Sequence, residues 1–505
     1  VRRGLRLILD GEPGLRVVAE AGDGAEAVER AVAGGVDLAV LDIAMPRMTG
    51  LQAAINRTTP DAYNPFAGGD LNSPKDGDFT VNNADTINSF MVKAGRTSRT
   101  ELMQWDFHIS RPDLFQLPGG DVGLAAGVEA RRETFRETRD DRLNGTINFT
   151  DLTGQTFQSD IMGVTFTPNS SGARNVYSTF AELAVPIVSP EMNVPFVKSI
   201  DMQLAGRVEH YSLFGTVGAP KIALSYRPTD WLMFRGAWSK GFRAPNLMQL
   251  HQPDFERSNS RRDYAACAVQ LKIGAIPTLT TSNEYCTSES RVERRSGNLD
   301  LKPERSKNFT AGVVFEPKLW PSKYGVLTAT VDYWRIDQTD LVGIFGGTNQ
   351  LIMDYYLRQI GSSNPNVVRA APDAQQIADG QAAGLAPVGN LVSINDVYLN
   401  LQPRTSEGVD YRLHYSLRRT PLGSFTWTLN ASQWLKMYQE PNDDYQVLLD
   451  ALRDGVISGV SVGGVEELVR RNGRPEWKVT STVTWRKDAW TVGLFSSYVG
   501  DYFDT

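Results

Sequence analysis

Apolar and polar residues alternate along most of the chain, which is the pattern of β-strands with one face in an apolar environment and the other in water. The alternation begins near Thr86 and recurs in segments of about ten residues, the length at which a tilted strand crosses a bilayer. The clearest segments cover residues 200–209, 232–239, 308–315, 326–334, 409–417, 425–432, 477–486 and 490–499. We therefore predict an antiparallel all-β protein with roughly fourteen or fifteen strands.

The connections between these segments are of two kinds. Residues 227–230, 317–324, 418–423 and 487–489 are tight turns that carry Pro, Asp or Gly, whereas residues about 241–306, 341–390 and 437–474 are long excursions. A transmembrane β-barrel shows this asymmetry, with its long loops outside the cell. A water-soluble β-sandwich explains the alternation alone and remains the alternative.

Aromatic residues gather near the ends of the predicted strands, as they do at the two interfaces of a bilayer. These residues are Trp231, Trp238, Trp320, Tyr324, Tyr333, Trp334, Trp477, Trp485, Trp490 and Tyr498. Their positions favour the membrane barrel over the sandwich.

The first fifty residues show a different hydrophobic pattern, without the alternation of the rest of the chain. Residues 4–9 and 25–33 predict helices, and residues 15–21 and 36–43 predict short apolar strands. This change of period predicts a domain boundary. We divide the chain into an α/β fragment at 1–50, a linker or entry to the barrel at 51–85, and the barrel at 86–505.

Composition narrows the function. The net charge is -6 with 22% charged residues, so no strong basic field exists and nucleic acid is not an expected partner. No apolar run reaches the ~18 residues that a membrane-spanning helix needs. The chain also lacks a Gly-rich phosphate loop, a nucleophile elbow and a paired-Cys metal motif, so we expect no enzymatic activity and no cofactor.

The N-terminal segment carries a long motif, VRRGLRLILDGEPGLRVVAEAGDGAEAV followed by VDLAVLDIAMPRMTG. It resembles the receiver domain of response regulators, and the resemblance places the phosphoacceptor at Asp42. Phosphoryl transfer to Asp needs a metal ion held by neighbouring acidic groups. The family takes those groups from a strand that would precede Val1, so we expect no phosphorylation of Asp42.

The remainder, about residues 51–505, resembles the TonB-dependent outer-membrane receptors. The motifs that carry the likeness are RGAWSKGFRAPNLMQLH at 235–251, GNLDLKPERSKNFTAGVVFEP at 297–317 and TATVDYWRIDQTDLV at 328–342. FQLPGGDVGLAAGVEARRETF at 115–135 is similar to an earlier barrel strand. The resemblance implies energised uptake of a scarce nutrient, such as an iron chelate, a vitamin or an oligosaccharide, across the outer membrane of a Gram-negative cell.

The same resemblance implies a TonB-type energy-coupling complex as partner, together with a signal peptide, a TonB box and a plug domain before the barrel. The receiver-like piece occupies that place, and the last strands of the family are absent too. We expect both termini to be fragment ends, the barrel to be incomplete without its plug, and the two halves to be joined near residues 50–54 by a chimeric gene.

Candidate ligand-binding residues at the outer mouth are Arg243, Asn246, His251, Trp334 and Tyr356, chosen by loop position. A polar lumen is expected to be lined by Glu129, Arg131, Glu182, Asp201, Arg207, Glu209, Arg235, Asp410 and Arg412. A water-filled barrel interior needs polar side chains whatever molecule it transports, so these residues are also explained as a solvated wall.

Cys267 and Cys286, the only cysteines, lie in one long excursion, and a barrel matures through an oxidising compartment, which predicts a disulfide. The four histidines have no second ligand at metal spacing, so no metal site is expected.

Two functions from other classes remain open. One is a two-component signalling protein in which a receiver phosphorylated at Asp42 regulates a β-rich output module. The other is a secreted all-β glycan hydrolase, which requires a close pair of carboxylates on one face.

Overall fold

A computed structural model describes residues 30, 50–64, 81–150, 154, 156–161, 164–317, 321 and 324–504. Apart from residue 30, the first 49 residues lie outside the described part of the chain, and their predicted elements and the phosphoacceptor Asp42 lie there with them. The aromatic residue Trp320 also lies outside the described residues. About half of the chain, 51%, is strand and 15% is helix, which confirms the predicted all-β class. Within the described residues, no helix has both the length and the apolar character needed to span a membrane.

Twenty-one strands are described, and their bounds are as follows. They are β1 (Arg96–Leu117), β2 (Gly120–Arg139), β3 (Phe149–Thr150), β4 (Thr156–Phe157), β5 (Ser170–Val188), β6 (Ser199–Tyr211), β7 (Gly215–Thr229), β8 (Leu232–Arg243), β9 (Phe255–Arg262), β10 (Ser288–Arg295), β11 (Glu304–Phe315), β12 (Val326–Thr339), β13 (Leu341–Gly343), β14 (Val367–Arg369), β15 (Leu391–Asn395), β16 (Leu399–Leu401), β17 (Arg404–Thr420), β18 (Gly423–Gln439), β19 (Glu466–Glu467), β20 (Trp477–Lys487) and β21 (Trp490–Val499).

The described α-helices are short and lie outside the main sheet. They are α1 (Gly50–Ile55), α2 (Ala84–Phe90), α3 (Leu247–His251), α4 (Tyr264–Lys272), α5 (Gly347–Gln359), α6 (Ala374–Ala383) and α7 (Asp443–Arg453). Five of them begin at a side chain that accepts a hydrogen bond from a backbone N–H of the first turn, the role for which Asn and Asp are preferred. These caps are Asn83, Asn246, Asp263, Asp373 and Asn442.

The main sheet contains 13 strands, in the order β1-β2-β5-β6-β7-β8-β11-β12-β17-β18-β20-β21 with β19 paired to β18. Each strand pairs with the next long strand along the chain, and the pairs are antiparallel, as in β6 with β7 and β11 with β12. The other eight strands lie in the connections, which is why the sheet has fewer strands than predicted. Among the described strands, β1 and β21 form the two ends of this order, and the sheet is not closed.

The motif at residues 115–135 is predicted as one strand, and that prediction is wrong. The segment covers the end of β1, a tight turn and most of β2. The turn consists of Pro118 and Gly119, and Gly120 is the first residue of β2. Gly120 has a φ of 129°, and a Cβ on Gly119 would overlap the backbone oxygen of Pro186. Only glycine avoids both the strained backbone and the close contact.

Contacts divide the chain into two units, and the smaller one comprises Val1–Ser98 and Glu137–Asn169. In its described part, α1 and α2 are linked by Arg57, which donates to Asp61 at 2.6 Å and to Thr86 at 3.0 Å. The ring of Tyr63 packs edge-on against Phe90 at 5.0 Å. The larger unit, Arg99–Arg136 and Ser170–Thr505, carries most of the sheet and the long connections.

The two faces of the sheet have different chemistry. Alternate residues on one face are large and apolar yet exposed, for example Val208, Leu224 and Val331, each between 45 and 47% exposed. We call this the apolar face. The opposite face, called the polar face, carries the charged partners of the alternation, such as Arg207 and Asp332. The predicted period of two is therefore observed across the sheet.

Candidate functional site

Three long connections emerge from the same end of the sheet and fold together. They comprise residues 244–303, 340–403 and 440–476, which we call the loop cap. A single cluster of buried side chains draws on all three, with Ile276 from the first, Ile352 from the second and Leu448 from the third. The predicted excursion at 341–390 continues to residue 403 because β15 and β16 belong to it. The excursions are thus folded elements with a shared core.

The predicted disulfide lies inside this core. The sulfurs of Cys267 and Cys286 are 2.06 Å apart, and both residues are completely buried. Cys267 is on α4, and Cys286 follows in the same connection. The bond fastens the first connection where the other two pack against it.

A buried ion cluster joins the first and second connections. Arg369 donates to both carboxylate oxygens of Asp263, one at 2.7 Å, and its Nη2 lies 2.9 Å from Asp354. Arg358 also donates to Asp354, at 2.9 Å. Burial alone would raise the pKa of the Asp263 carboxyl, but the hydrogen bonds and charge of Arg369 outweigh it and hold that pKa below its ordinary value.

A second buried carboxylate lies at the start of α5. Asp396 is 1% exposed, and its Oδ1 accepts the backbone N–H of Gly346 at 3.1 Å. Its other oxygen is 3.8 Å from Arg295, beyond hydrogen-bond distance. Burial therefore dominates and raises the pKa of Asp396.

The segment GNLDLKPE, singled out by resemblance, fastens the base of the loop cap. Asn298 donates its side-chain N–H to the carbonyl of Tyr398 at 3.0 Å. The backbone N–H of Lys302 donates to Asn400 at 2.9 Å, and Asn400 donates in turn to the carbonyl of Asp340 at 2.7 Å. The motif thus connects residues about one hundred positions apart.

On the polar face, four of the predicted lumen residues come together in one network. Arg131 donates to Glu129 at 2.7 Å and lies 3.3 Å from Glu209. Arg207 bonds Glu129 at 2.9 Å and also pairs with Glu209. Three further members were missed by sequence reasoning, because they are ordinary strand residues until the strands pair. They are Glu133, Arg174 and Tyr211.

The network has three carboxylates and three guanidinium groups, so its charges balance. Arg174 also donates to the carbonyl of Pro245 at 2.7 Å, which ties the network to the start of the loop cap. The phenol of Tyr211 donates to Glu209 at 2.6 Å. These groups satisfy one another, so this part of the polar face is a rigid wall.

The other predicted lumen residues are distributed along the polar face in separate pairs. Arg235 forms a bidentate pair with Asp332, at 2.9 and 2.6 Å. Asp410 accepts from Ser432 at 2.6 Å. Three residues remain: Glu182 bonds Gln203, Asp201 accepts from Ser225 at 3.2 Å, and Arg412 is in register with Thr330 and Asn430.

Residues of these pairs border a cleft of about 710 Å³ on the polar face. Its lining includes Asp121, Asp201, Gln203, Arg235 and Thr310. Two predicted lumen residues therefore border a space large enough for a small ligand.

Four of the five predicted mouth residues have structural partners. Arg243 ends β8 and pairs with Glu304, Asn246 caps α3 by accepting from the backbone of Gln249 at 2.7 Å, and Tyr356 packs against the cap core. The ring of His251 covers Gly172 so closely that a Cβ there would overlap it. They position the loop cap, and their contact with a ligand stays a prediction.

Trp334 lies elsewhere, on the polar face of β12. Its ring meets that of Trp434 edge to face, with centroids 5.1 Å apart. Gly408 lies between them in register, and a Cβ there would overlap the Trp334 ring. Sequence reasoning missed Trp434, which lies two residues beyond the predicted strand at 425–432, because β18 continues past that prediction to Gln439.

No group of three or more His, Cys, Asp or Glu side chains in the described part of the chain is arranged to hold a metal ion.

Both parts of the chain match known protein families. Residues 1–60 match the family described as response regulator receiver domain. Over 51 residues the chain is 49% identical to the nitrate/nitrite response regulator protein NarP of Escherichia coli (strain K12), covering 10% of this chain and 24% of that protein.

Among solved structures, the siderophore receptor PirA from Acinetobacter baumannii is 16% identical with a TM-score of 0.44, covering 80% of this chain and 44% of that one. A mutant of the ferric enterobactin receptor PfeA from Pseudomonas aeruginosa is 16% identical with a TM-score of 0.45, covering 80% and 41%. The hemophore receptor HasR of Serratia marcescens, solved as a double mutant with its hemophore HasA and heme, is 14% identical with a TM-score of 0.42, covering 80% and 52%.

The chain therefore spans about a quarter of its curated relative and about half or less of these receptor chains. Residues 47–505 match the family described as TonB dependent receptor-like, beta-barrel. That match covers most of the chain and agrees with the resemblance read from its motifs. Over these residues, the chain belongs to the TonB-dependent receptor β-barrel family.

Proposed function

We propose that this chain forms the barrel part of an outer-membrane receptor that takes up a scarce nutrient. The observation that carries the proposal is the difference between the two faces of its meandering sheet. Soluble proteins rarely expose a contiguous apolar patch of more than a few hundred Å². Here successive strands each expose large apolar residues on the same face, for example Ile222 and Trp238, which are in register.

A bilayer explains this surface, because lipid rather than water faces the apolar side chains. It also explains the exposed aromatic residues near strand ends, such as Trp231, Trp490 and Tyr498, since Trp and Tyr are enriched at the membrane–water interface. The polar face, with its paired charges and cleft, then lines the path of the ligand.

The loop cap supports ligand capture at the end of this path. Its buried core and ion cluster fix three connections that would otherwise move separately, so a ligand meets a preformed surface. Coupling to a TonB-type energy complex is proposed from family membership, and the substrate class is an iron chelate, a vitamin or an oligosaccharide.

A pair of neighbouring residues on β20 offers a sharp test. Val483 is 37% exposed on the apolar face, and Thr482 is exposed on the polar face. An arginine facing lipid near the midplane costs about 2–4 kcal/mol, whereas an arginine facing a polar interior is tolerated. We expect Val483→Arg to reduce the heat-modifiable, outer-membrane-inserted fraction and Thr482→Arg to leave it close to wild type.

The measurement is outer-membrane fractionation followed by electrophoresis with and without boiling. Recovery of the wild-type chain in the soluble fraction would refute the proposal. Equal tolerance of both arginines would also refute it, because neither face would then contact lipid.

The matching receiver family over residues 1–60 supports a second candidate, a signalling protein phosphorylated at Asp42. Incubation with labelled acetyl phosphate tests it, with Asp42→Asn as the matched control. Absence of label from both chains would contradict this candidate. Label that disappears in Asp42→Asn would establish the signalling function instead.

A further inference from the structure

We infer that Trp334 and Trp434 form a ring-stacking subsite for an oligosaccharide. This rests on the proposed function and names the substrate class that the polar face is built to take. The two residues are 100 positions apart in the chain, and β17 brings them together, since Gly408 is in register with both.

The position of the pair is unusual for tryptophan. The other tryptophans of β8, β18 and β20 fall on the apolar face by register, and they are Trp238, Trp427, Trp477 and Trp485. Trp334 is two residues from Asp332, and Trp434 is two residues from Ser432, so both rings share the polar face with charged and hydroxyl groups. Two large apolar rings placed there, away from lipid, have no role in membrane anchoring.

The indoles are held in place and remain partly exposed. Gly408 has no side chain to separate the rings, and the backbone N–H of Trp434 donates to the carbonyl of Glu476 at 2.8 Å. Neither indole N–H has a hydrogen-bond acceptor among the described residues, and neither is among the buried unsatisfied atoms. Each ring therefore offers both an apolar surface and a free donor, the combination that Trp provides at recognition sites.

The surrounding groups suit a hydroxyl-rich ligand. The pair Arg235–Asp332 and the carboxylate Asp410 lie two residues from the tryptophans toward the short turns, and Lys478 ends the same row opposite Ser432. With Arg412 in the next row, the polar face here offers donors and acceptors of both charges. Carboxylates and guanidinium groups bond well to sugar hydroxyls, and the C–H faces of a pyranose pack on an indole.

The cleft of about 710 Å³ on the same face is not lined by the tryptophans themselves, but it is adjacent to them. Thr310, which lines that cleft, is directly opposite Trp334 in register. Cross-strand neighbours on one face have Cβ atoms about 5 Å apart. A chain of several sugar rings that stacks on the tryptophans therefore extends into the cleft.

The test uses the full chain, inserted and heat-modifiable, in lauryldimethylamine oxide, because glycoside detergents would compete. Binding of maltohexaose, cellohexaose and xylohexaose is measured by calorimetry and tryptophan fluorescence, with ferric tris(catecholate) as the anionic probe. We expect at least one hexasaccharide to bind. Trp334→Ala and Trp434→Ala should each weaken that binding about tenfold, and Trp334→Phe should weaken it less.

Trp427→Ala is the matched control, since it removes an indole from the apolar face of the same strand as Trp434, and its affinity should stay within about twofold of wild type. Failure of all three sugars to bind inserted protein would overturn the inference, as would sugar binding that neither Trp variant reduces. Binding of ferric tris(catecholate) that is lost in both variants would assign the rings to an anionic ligand instead. A chain that never inserts would contradict the proposed function itself, which separates the two failures.

Discussion

Removing the guanidinium of Arg369 should open the loop cap. Arg369 is almost fully buried and is the bidentate partner of Asp263, whose side chain is 5% exposed. Replacing Arg369 with methionine keeps much of its volume but leaves a buried carboxylate without its cation. Breaking a buried ion pair in this way costs about 3–5 kcal/mol.

Arg358→Met is the matched control, because it removes the other arginine of the same cluster. Arg358 donates one hydrogen bond to Asp354, which keeps Arg369 and the backbone N–H of Asn364 as partners. The expected loss is about 1.5 kcal/mol, the lower end for a hydrogen bond to a charged group. The difference between the variants therefore isolates the unpaired charge from the loss of an arginine.

Hydrogen exchange of the amides of α4 and α5, followed by mass spectrometry, measures opening of the cap without unfolding the sheet. Each 1.4 kcal/mol is a factor of ten, so Arg369→Met should accelerate exchange by roughly one hundred to several thousand times, against about tenfold for Arg358→Met. Exchange rates that are equal in the two variants would refute the reasoning.

The pH dependence provides an independent check. In the wild type, the lowered pKa of Asp263 contributes stability above its ordinary pKa, and this is lost as pH falls through the lowered value. In Arg369→Met the same carboxyl is buried without its cation, so its pKa should be raised. After division by the intrinsic exchange rate, which itself falls with pH in any chain, mild acidification should therefore lower the opening constant of the variant. An opening constant that rises on acidification would contradict the assignment.

Three further perturbations follow from the structure. Cys267→Ser should cost the cap about 3 kcal/mol, because a loop of about twenty residues is no longer closed in the unfolded state; unchanged proteolysis of the cap would contradict this. Gly408→Ala should displace the Trp334 ring, whose position would overlap the new Cβ, and a near-ultraviolet circular dichroism spectrum identical to wild type would exclude the displacement. Because the pKa of Asp396 is raised, its contribution to cap stability is greatest below the ordinary pKa of the carboxyl and is lost as pH rises through the raised value. Asp396→Asn should remove this pH dependence of cap stability, measured by hydrogen exchange. A pH dependence that is unchanged in Asp396→Asn would assign it to another group.

The sequence was sufficient to predict the strands of the main sheet, because the alternation of apolar and polar residues is a local signal. A period of two places residues such as Met202 and Arg207 on opposite faces whatever the rest of the chain does. Tight turns, such as the one between β20 and β21, fix which strands pair, since neighbours along the chain become neighbours in space. The prediction failed at residues 115–135, because Pro118 and Gly119 form a turn inside the motif and Gly120 begins the next strand.

The candidate site was only partly predictable. Glu129, Arg131, Arg207 and Glu209 were expected on one face, and alternation is enough to place them there. Their assembly into one network depends on register, which the sequence pattern does not specify. The residues predicted to bind ligand from their loop position have structural contacts instead. Asn246 caps a helix, and Tyr356 packs against a buried core.

The sequence by itself determined the strand period, the two chemically different faces, the alternation of short turns and long connections, and the family. Tertiary structure alone decided which distant groups meet. Asp263 and Arg369 are 106 positions apart, and they pair because the shared apolar core of the loop cap brings two connections together. Such contacts depend on the packing of whole loops, where no periodic pattern links the partners, so they can be seen only after the chain has folded.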